Sequence, residues 1–304
     1  MSARESSDGE RLTAVVVHDG TVASSSADAT VAWWSFTKAL LAACILLLSE
    51  RRRIRLDEPL AGFPFTPRQL LQHRAGVGNY GGLAEYHAAV ANGEKPWSVD
   101  DLLRRIPPDD LLFAPDTGWA YSNIGYLLLR REVERATDSS LKEALKQLVL
   151  RPLGLEIATV AETAGEMQAI AFPATNAYDP GWVYHGCVIG PACEATLALH
   201  RLLAGELLSP ASRDAMLGRF PIGHELPGRP WVTTGYGLGV MMGLMKDRKS
   251  QRSIEVVGHS AGGPGSVAAV YSCSNNGRRR TAGAFAAGND EGIAEFTVLE
   301  LLDA

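Results

Sequence analysis

Apolar and polar positions divide the chain into three textures. Leu12 to His18 alternates into an apolar run, Asp19-Gly20 signals a turn, and Thr21 to Ala23 begins a second extended piece, which together predict a β-hairpin. Extended chain from Ala29 to Trp34 leads into Ala39 to Leu48, an apolar run that predicts a helix buried on all sides. That run is too short to span a bilayer and ends in Glu50-Arg51-Arg52-Arg53. From Arg51 prolines interrupt the pattern, and Thr66-Pro67-Arg68-Gln69-Leu70-Leu71 reads as a threonine cap, a first-turn proline and a short helix. Helical spacing then dominates to about Leu217, at Ser98 to Arg105, Asn123 to Ala136, Ser139 to Leu150 and Ala192 to Leu203. Gly/Pro loops at Gly76 to Gly82, Phe113 to Gly118 and Pro173 to Gly190 separate these pieces. Extended segments return after Trp231, at Tyr236 to Met245, Ser253 to Val257, Ser266 to Ser274 and Arg280 to Ala287. Asn275-Asn276-Gly277 is a hairpin turn, and a helix from Gly292 to Leu301 closes the chain. Strands at both ends predict one domain of sheet and helix formed by residues 1–55 and 218–304, with a mostly helical domain, 56–217, inserted.

At 304 residues and 46% hydrophobic, the chain can bury one large core or two coupled ones. A net charge of −5 excludes a basic footprint for nucleic acid; Arg51-Arg52-Arg53 and Arg278-Arg279-Arg280 are short and isolated. Met1 to Arg11 is polar and charged, unlike a secretory signal, so a cytoplasmic protein without a membrane partner is expected. The four cysteines show no CxxC pair, which suggests reduced, mostly buried thiols. Cys187 and Cys193 near His185 make a poor zinc site, and His18, His73, His87, His185, His200 and His224 do not cluster at ligand spacing. No metal site, phosphate loop or dinucleotide fingerprint is expected, hence no cofactor.

The chemistry begins at Ala32-Trp33-Trp34-Ser35-Phe36-Thr37-Lys38. A serine opening a helix with a lysine three residues on places hydroxyl and ammonium on one face, a nucleophile beside its candidate base. Free backbone N–H groups in that first turn favour an oxyanion. A second loop, Phe113 to Gly118, ends at Tyr121-Ser122-Asn123 before a helix. A tyrosine beside a lysine ionises more easily and can move a proton, while Asn123 can hold the lysine and a substrate carbonyl. Third, Val257-Gly258-His259-Ser260-Ala261-Gly262-Gly263-Pro264-Gly265 is a strand running into small residues, where a backbone N–H can complete an oxyanion hole. His259 there offers a donor or cation to a substrate carboxylate or to the tyrosine oxygen. Each motif alone also fits a structural role: a helix cap, a packed tyrosine, a glycine-rich turn.

In this order and spacing the three motifs resemble the penicillin-binding protein and serine beta-lactamase superfamily, specifically its class C-like branch. Leu70 to Val77 is similar to that family's LLxHxSGL segment, Phe113 to Tyr126 to FxPGxxxxYSNxGY, and Arg151 to Leu155 to PLGL. Tyr236 to Gly239 and Gly258 to Gly265 match late strands, so the resemblance covers about residues 30 to 290. It implies an α+β fold, an antiparallel sheet flanked by helices with an inserted mostly helical domain. It also implies Ser35 as the acylated nucleophile, Lys38 and Tyr121 as general acid and base, and Asn123 assisting. His259 takes the place of the lysine in K-T-G, and the Gly262 amide joins that of Ser35 in the oxyanion hole. Three departures stand out: only 34 residues precede Ser35, Ala261 stands where the third motif has glycine, and histidine replaces lysine at 259. The implied activity is a serine hydrolase acting on a small-molecule ester or amide. A carboxylesterase-like enzyme leads; a beta-lactamase, a D-amino acid peptidase or amidase, an acyltransferase and a non-catalytic binding member are the alternatives. The oligomeric state is left open.

Overall fold

A computed structural model describes residues 12–23, 27–223, 225–248, 250–275 and 277–304. Met1 to Arg11, His224 and Asn276 of the expected hairpin turn lie outside the described residues. The chain opens with β1 (Leu12–His18) and β2 (Thr21–Ala23), and β3 (Thr30–Ala32) leads into helix α1 (Thr37–Glu50). The middle carries α2 (Pro67–Leu71), α3 (Ala84–Ala91), α4 (Val99–Arg105), α5 (Asn123–Thr137) and α6 (Leu141–Leu145). After these come β4 (Thr159–Ala161), α7 (Ala164–Met167), β5 (Cys187–Pro191), α8 (Ala192–Ala204) and α9 (Pro210–Met216). The last third is β6 (Phe220–Gly223), β7 (Trp231–Tyr236), β8 (Met241–Lys246), β9 (Ser253–Gly263), β10 (Ser266–Asn275), β11 (Arg278–Ala287) and α10 (Glu291–Asp303).

Among the described residues eight strands form one antiparallel sheet in the order β2-β1-β11-β10-β9-β8-β7-β6, so the first and last described strands meet where β1 pairs with β11. Alternation along the strands sorts side chains to two faces. Ala282, Ala284 and Ala286 of β11 pack with Ala294, Val298 and Leu299 of α10, whereas Phe285 joins the core that contains α1. Helix α8 also packs on β11 and β1, although it falls within the 56–217 stretch expected to be the helical insert. Thr196 of α8 would collide with a side chain at Gly283, which explains the glycine in the middle of β11.

Helix α1 is buried from Thr37 to Leu48, as its unbroken apolar run requires, and packs against α5, α6 and α9. Its start is tied to a second small sheet, β3-β5-β4, because Thr37 Oγ1 accepts from the Val188 N–H at 3.0 Å. The stretch expected as one strand from Tyr236 to Met245 is instead two strands joined by a turn at Gly237–Val240. Gly239, at φ +79°, lies so close to Ala42 and the Lys38 carbonyl that a Cβ would clash, so this turn seats directly on α1. No helix among the described residues is long and apolar enough to cross a membrane.

Candidate active site

Ser35 sits in a short 3₁₀ turn, Trp34–Phe36, that feeds α1. Trp34, the residue before it, is held at φ +43°, a left-handed conformation rare for a bulky residue. Three contacts keep it there: its indole N–H donates to Ser266 Oγ at 3.0 Å, its ring meets Tyr178 edge-on at 5.6 Å, and Gly263 lies against its face. One helical turn on, Lys38 Nζ lies 3.1 Å from Ser35 Oγ, 2.7 Å from Asn123 Oδ1 and 3.1 Å from His185 Nε2. The lysine is wholly buried, and that desolvation alone pushes its pKa well below the ordinary lysine value. A neutral amine beside a serine hydroxyl can take its proton.

Tyr121 and Asn123 reach the lysine because Ser122 between them is extended and caps α5. Ser122 Oγ accepts from the Gly125 N–H at 2.8 Å and donates to the Gly78 carbonyl at 2.7 Å, so the cap is also a tie to the Gly76–Gly82 loop. His73 braces the same tripeptide: its Nδ1 accepts from the Ser122 N–H at 3.1 Å, and its ring lies 4.4 Å from that of Tyr121. The Tyr121 hydroxyl hydrogen-bonds Ser35, and Lys38 Nζ lies 4.9 Å from the centre of its ring. Ionisation was expected to be eased by the lysine. Burial instead raises the phenol above the ordinary tyrosine range, the Ser35 hydrogen bond offsetting part of the rise and the Glu291 carboxylate adding to it. Tyr121 is therefore a neutral phenol, suited to donating a proton.

His259 differs from the expected donor or cation. Its Nδ1 is 2.5 Å from the Ser260 carbonyl, which can only accept, so the proton resides on Nδ1 and Nε2 accepts from the Tyr236 hydroxyl at 2.9 Å. Both nitrogens are thus engaged within the protein. Burial, reinforced by the lysine charge, pushes its pKa down to about 3, so the ring is neutral near pH 7. It stands 6.5 Å, ring to ring, from Tyr121 and forms a wall behind it. Ala261 packs into the α1 core, while Ser260 faces the opposite way toward the buried Glu295. Glu295 also takes a two-pronged bond from Arg229 and one from the Trp231 indole at 2.8 Å, anchoring β9 to α10.

Ser35, Asn123, Gly262 and Gly263 line one cleft of about 170 Å³, walled by Trp34, Tyr80, Tyr86, Tyr178 and Val183. His185, which spacing left as a packed or exposed histidine, lines it too. A recess of about 650 Å³ at the opposite end of β9 is lined by Arg252, Glu255, Arg279, Arg280 and Asp303 together with His18 and Cys273. Among the described residues no three His, Cys, Asp or Glu side chains gather as a metal site.

Residues 7–286 match the beta-lactamase family. The chain belongs to that family. It is 32% identical over 141 residues to esterase EstB of Burkholderia gladioli, covering 40% of this chain and 36% of the esterase. It is 30% identical over 159 residues to penicillin-binding protein 4* of Bacillus subtilis, covering 49% of this chain and 34% of that protein. The matched stretch thus spans about a third of the length of these relatives. The fold is shared with a D-stereospecific amidohydrolase from a Streptomyces species (TM-score 0.75, 22% identity, covering 96% and 93% of the two chains). It is shared equally with the D-amino acid amidase of Ochrobactrum anthropi SV3 (TM-score 0.76, 18% identity, covering 96% and 91%). These likenesses establish the antiparallel sheet flanked by helices in this beta-lactamase-family chain.

Proposed function

We propose that this beta-lactamase-family protein is a serine hydrolase that cleaves a small ester or amide through an acyl-Ser35 intermediate. The observation that carries the reading is a buried, depressed-pKa Lys38 within 3.1 Å of Ser35 Oγ on the floor of an open cleft. In this reading Lys38 Nζ takes the hydroxyl proton as Ser35 Oγ attacks the carbonyl carbon. The backbone N–H groups of Ser35 and Gly262 receive the oxyanion. Tyr121, a neutral phenol, gives its proton to the leaving oxygen or nitrogen as the tetrahedral intermediate collapses. Its phenolate is then reprotonated from the Lys38 ammonium. Water repeats the sequence to free the acid. The loop before α5 and the first residue of that helix supply Tyr121 and Asn123, the turn into α1 and the start of α1 supply Ser35 and Lys38, and β9 supplies Gly262.

The aromatic walls and an adjoining recess of about 420 Å³, which shares Tyr178 and Pro264 with the cleft and reaches Trp182, favour an apolar group on the substrate. The likeness to an esterase and the fold shared with D-amino acid amidases make p-nitrophenyl esters and D-phenylalanine amide the first substrates to compare. Four unpaired thiols fit a reducing cytoplasm as its place of work. The test is turnover of p-nitrophenyl acetate by wild type and Ser35→Ala. Turnover lost in a folded variant supports the reading; turnover retained in the variant overturns it.

A further inference from the structure

Among the described residues Lys38 Nζ has three hydrogen-bond partners, and two of them, Ser35 and Asn123, belong to motifs that the sequence brings forward. The third, His185, comes from the Gly/Pro-rich segment before β5, 147 residues away. A neutral amine has two N–H bonds and one lone pair. If Asn123 Oδ1 and His185 Nε2 each accept one N–H, the lone pair has a single direction left, toward the Ser35 hydroxyl. When the serine proton arrives, the ammonium has three N–H bonds and keeps both acceptors, so no rearrangement is needed. This assignment puts the ring proton on Nδ1, a buried atom with no partner. A buried polar group without a partner costs stability, and packing alone gives no reason to keep a histidine there.

Resting on the acyl-serine reading above, we propose that His185 is the positioning residue for Lys38, accepting its N–H at Nε2 and thereby aiming the amine lone pair at Ser35. The opposite tautomer, with Nε2–H donating to the amine, would occupy the lone pair that the reaction needs. Charged and titratable groups around the ring are Lys38 on α1, Arg130 and Tyr126 on α5, and His73 and His259 from the neighbouring loop and β9. Burial first, and then the Lys38 charge once the amine has taken the serine proton, keep the imidazole neutral, as an acceptor at Nε2 must be.

The experiment compares wild type with His185→Leu, His185→Gln and His185→Asn by the pH dependence of p-nitrophenyl acetate hydrolysis. The Lys38 titration is followed separately by NMR of [13Cε]lysine-labelled protein. In His185→Leu the rate should fall at least about tenfold, and the ammonium, deprived of an acceptor, should lose its proton about one pH unit lower. Glutamine, whose amide can reach the Nε2 position, should restore most of the rate and the wild-type titration; asparagine, which cannot, should not. Equal behaviour of the glutamine and asparagine variants, or a faster leucine variant, overturns the proposal. So does a leucine variant with wild-type rate and titration. The lysine titration is read without turnover. An inactive wild type would therefore sink the hydrolase reading while leaving the Lys38–His185 contact separately testable.

Discussion

Substituting Gly263→Ala tests how rigidly the nucleophile is held. A Cβ at position 263 would lie 2.6 Å from carbons of the Trp34 ring, whereas ordinary contact begins at 3.4 Å, so ring and strand must separate by about 0.8 Å. The ring has little freedom to yield: Trp34 is 2% exposed, fixed by Ser266 and Tyr178, and already at φ +43°. Gly263 is pinned on its other side by pairing with Ser266. Overpacking of this kind costs about 1–3 kcal/mol, a fall in melting temperature of roughly 2–5 °C for a chain of this size. Ser35 follows Trp34 directly, so the displacement should reach the nucleophile. A misplacement near 1 Å can cost about a hundredfold, or about 2.7 kcal/mol of barrier. The assay is kcat/KM for p-nitrophenyl acetate together with thermal melting, using Gly82→Ala, where a Cβ meets nothing within 4 Å, as the control. Wild-type kcat/KM in Gly263→Ala would refute the claim that Trp34 transmits the shape of β9 to Ser35.

Tyr121→Phe should slow cleavage of D-phenylalanine amide by about a hundredfold or more, but p-nitrophenyl acetate much less, because p-nitrophenolate leaves without a proton; equal losses in the two assays would argue against a proton-donor role. His73, His185 and His259 are all buried with pKa values below the ordinary 6.5. Below about pH 6.5 the unfolded chain binds protons that the folded one refuses, so stability should fall as pH drops, by up to about 1.4 kcal/mol per pH unit for each ring. Denaturant melts from pH 7.5 to 5 check this, and a flat profile would contradict it. Arg229→Ala leaves the fully buried Glu295 without its ion partner, and a loss of about 3–5 kcal/mol is expected in the same melts.

What sequence made legible was local. The Ser35–Lys38 pair depends on helical spacing, and the Thr66 and Ser98 caps on neighbours three residues away, so both could be read without a fold. The first hairpin, marked by Asp19-Gly20, was equally plain. The turn between β7 and β8 was not, because Gly237-Leu238-Gly239-Val240 lacks the Asn or Asp that signals a hairpin and reads as one apolar strand. Strand β5 was hidden in a Gly/Pro-rich stretch, since its pairing with β3 and β4 is entirely long-range. Side-chain protonation was the least accessible layer. The sequence puts Tyr121 and His259 near Lys38, but burial and hydrogen-bond geometry decide that one is a neutral phenol and the other a neutral ring with both nitrogens engaged. In the sequence His185 stood out only beside Cys187 and Cys193 and not beside Lys38, because that partner is 147 residues distant.

The decisive measurement is intact-protein mass spectrometry after brief exposure to a fluorophosphonate and to p-nitrophenyl acetate, with peptide mapping of any adduct. A single covalent adduct on Ser35, absent from Ser35→Ala and slowed in Lys38→Ala, is the predicted result. An adduct on another residue, or none on folded protein, would contradict Ser35 as a nucleophile activated by Lys38.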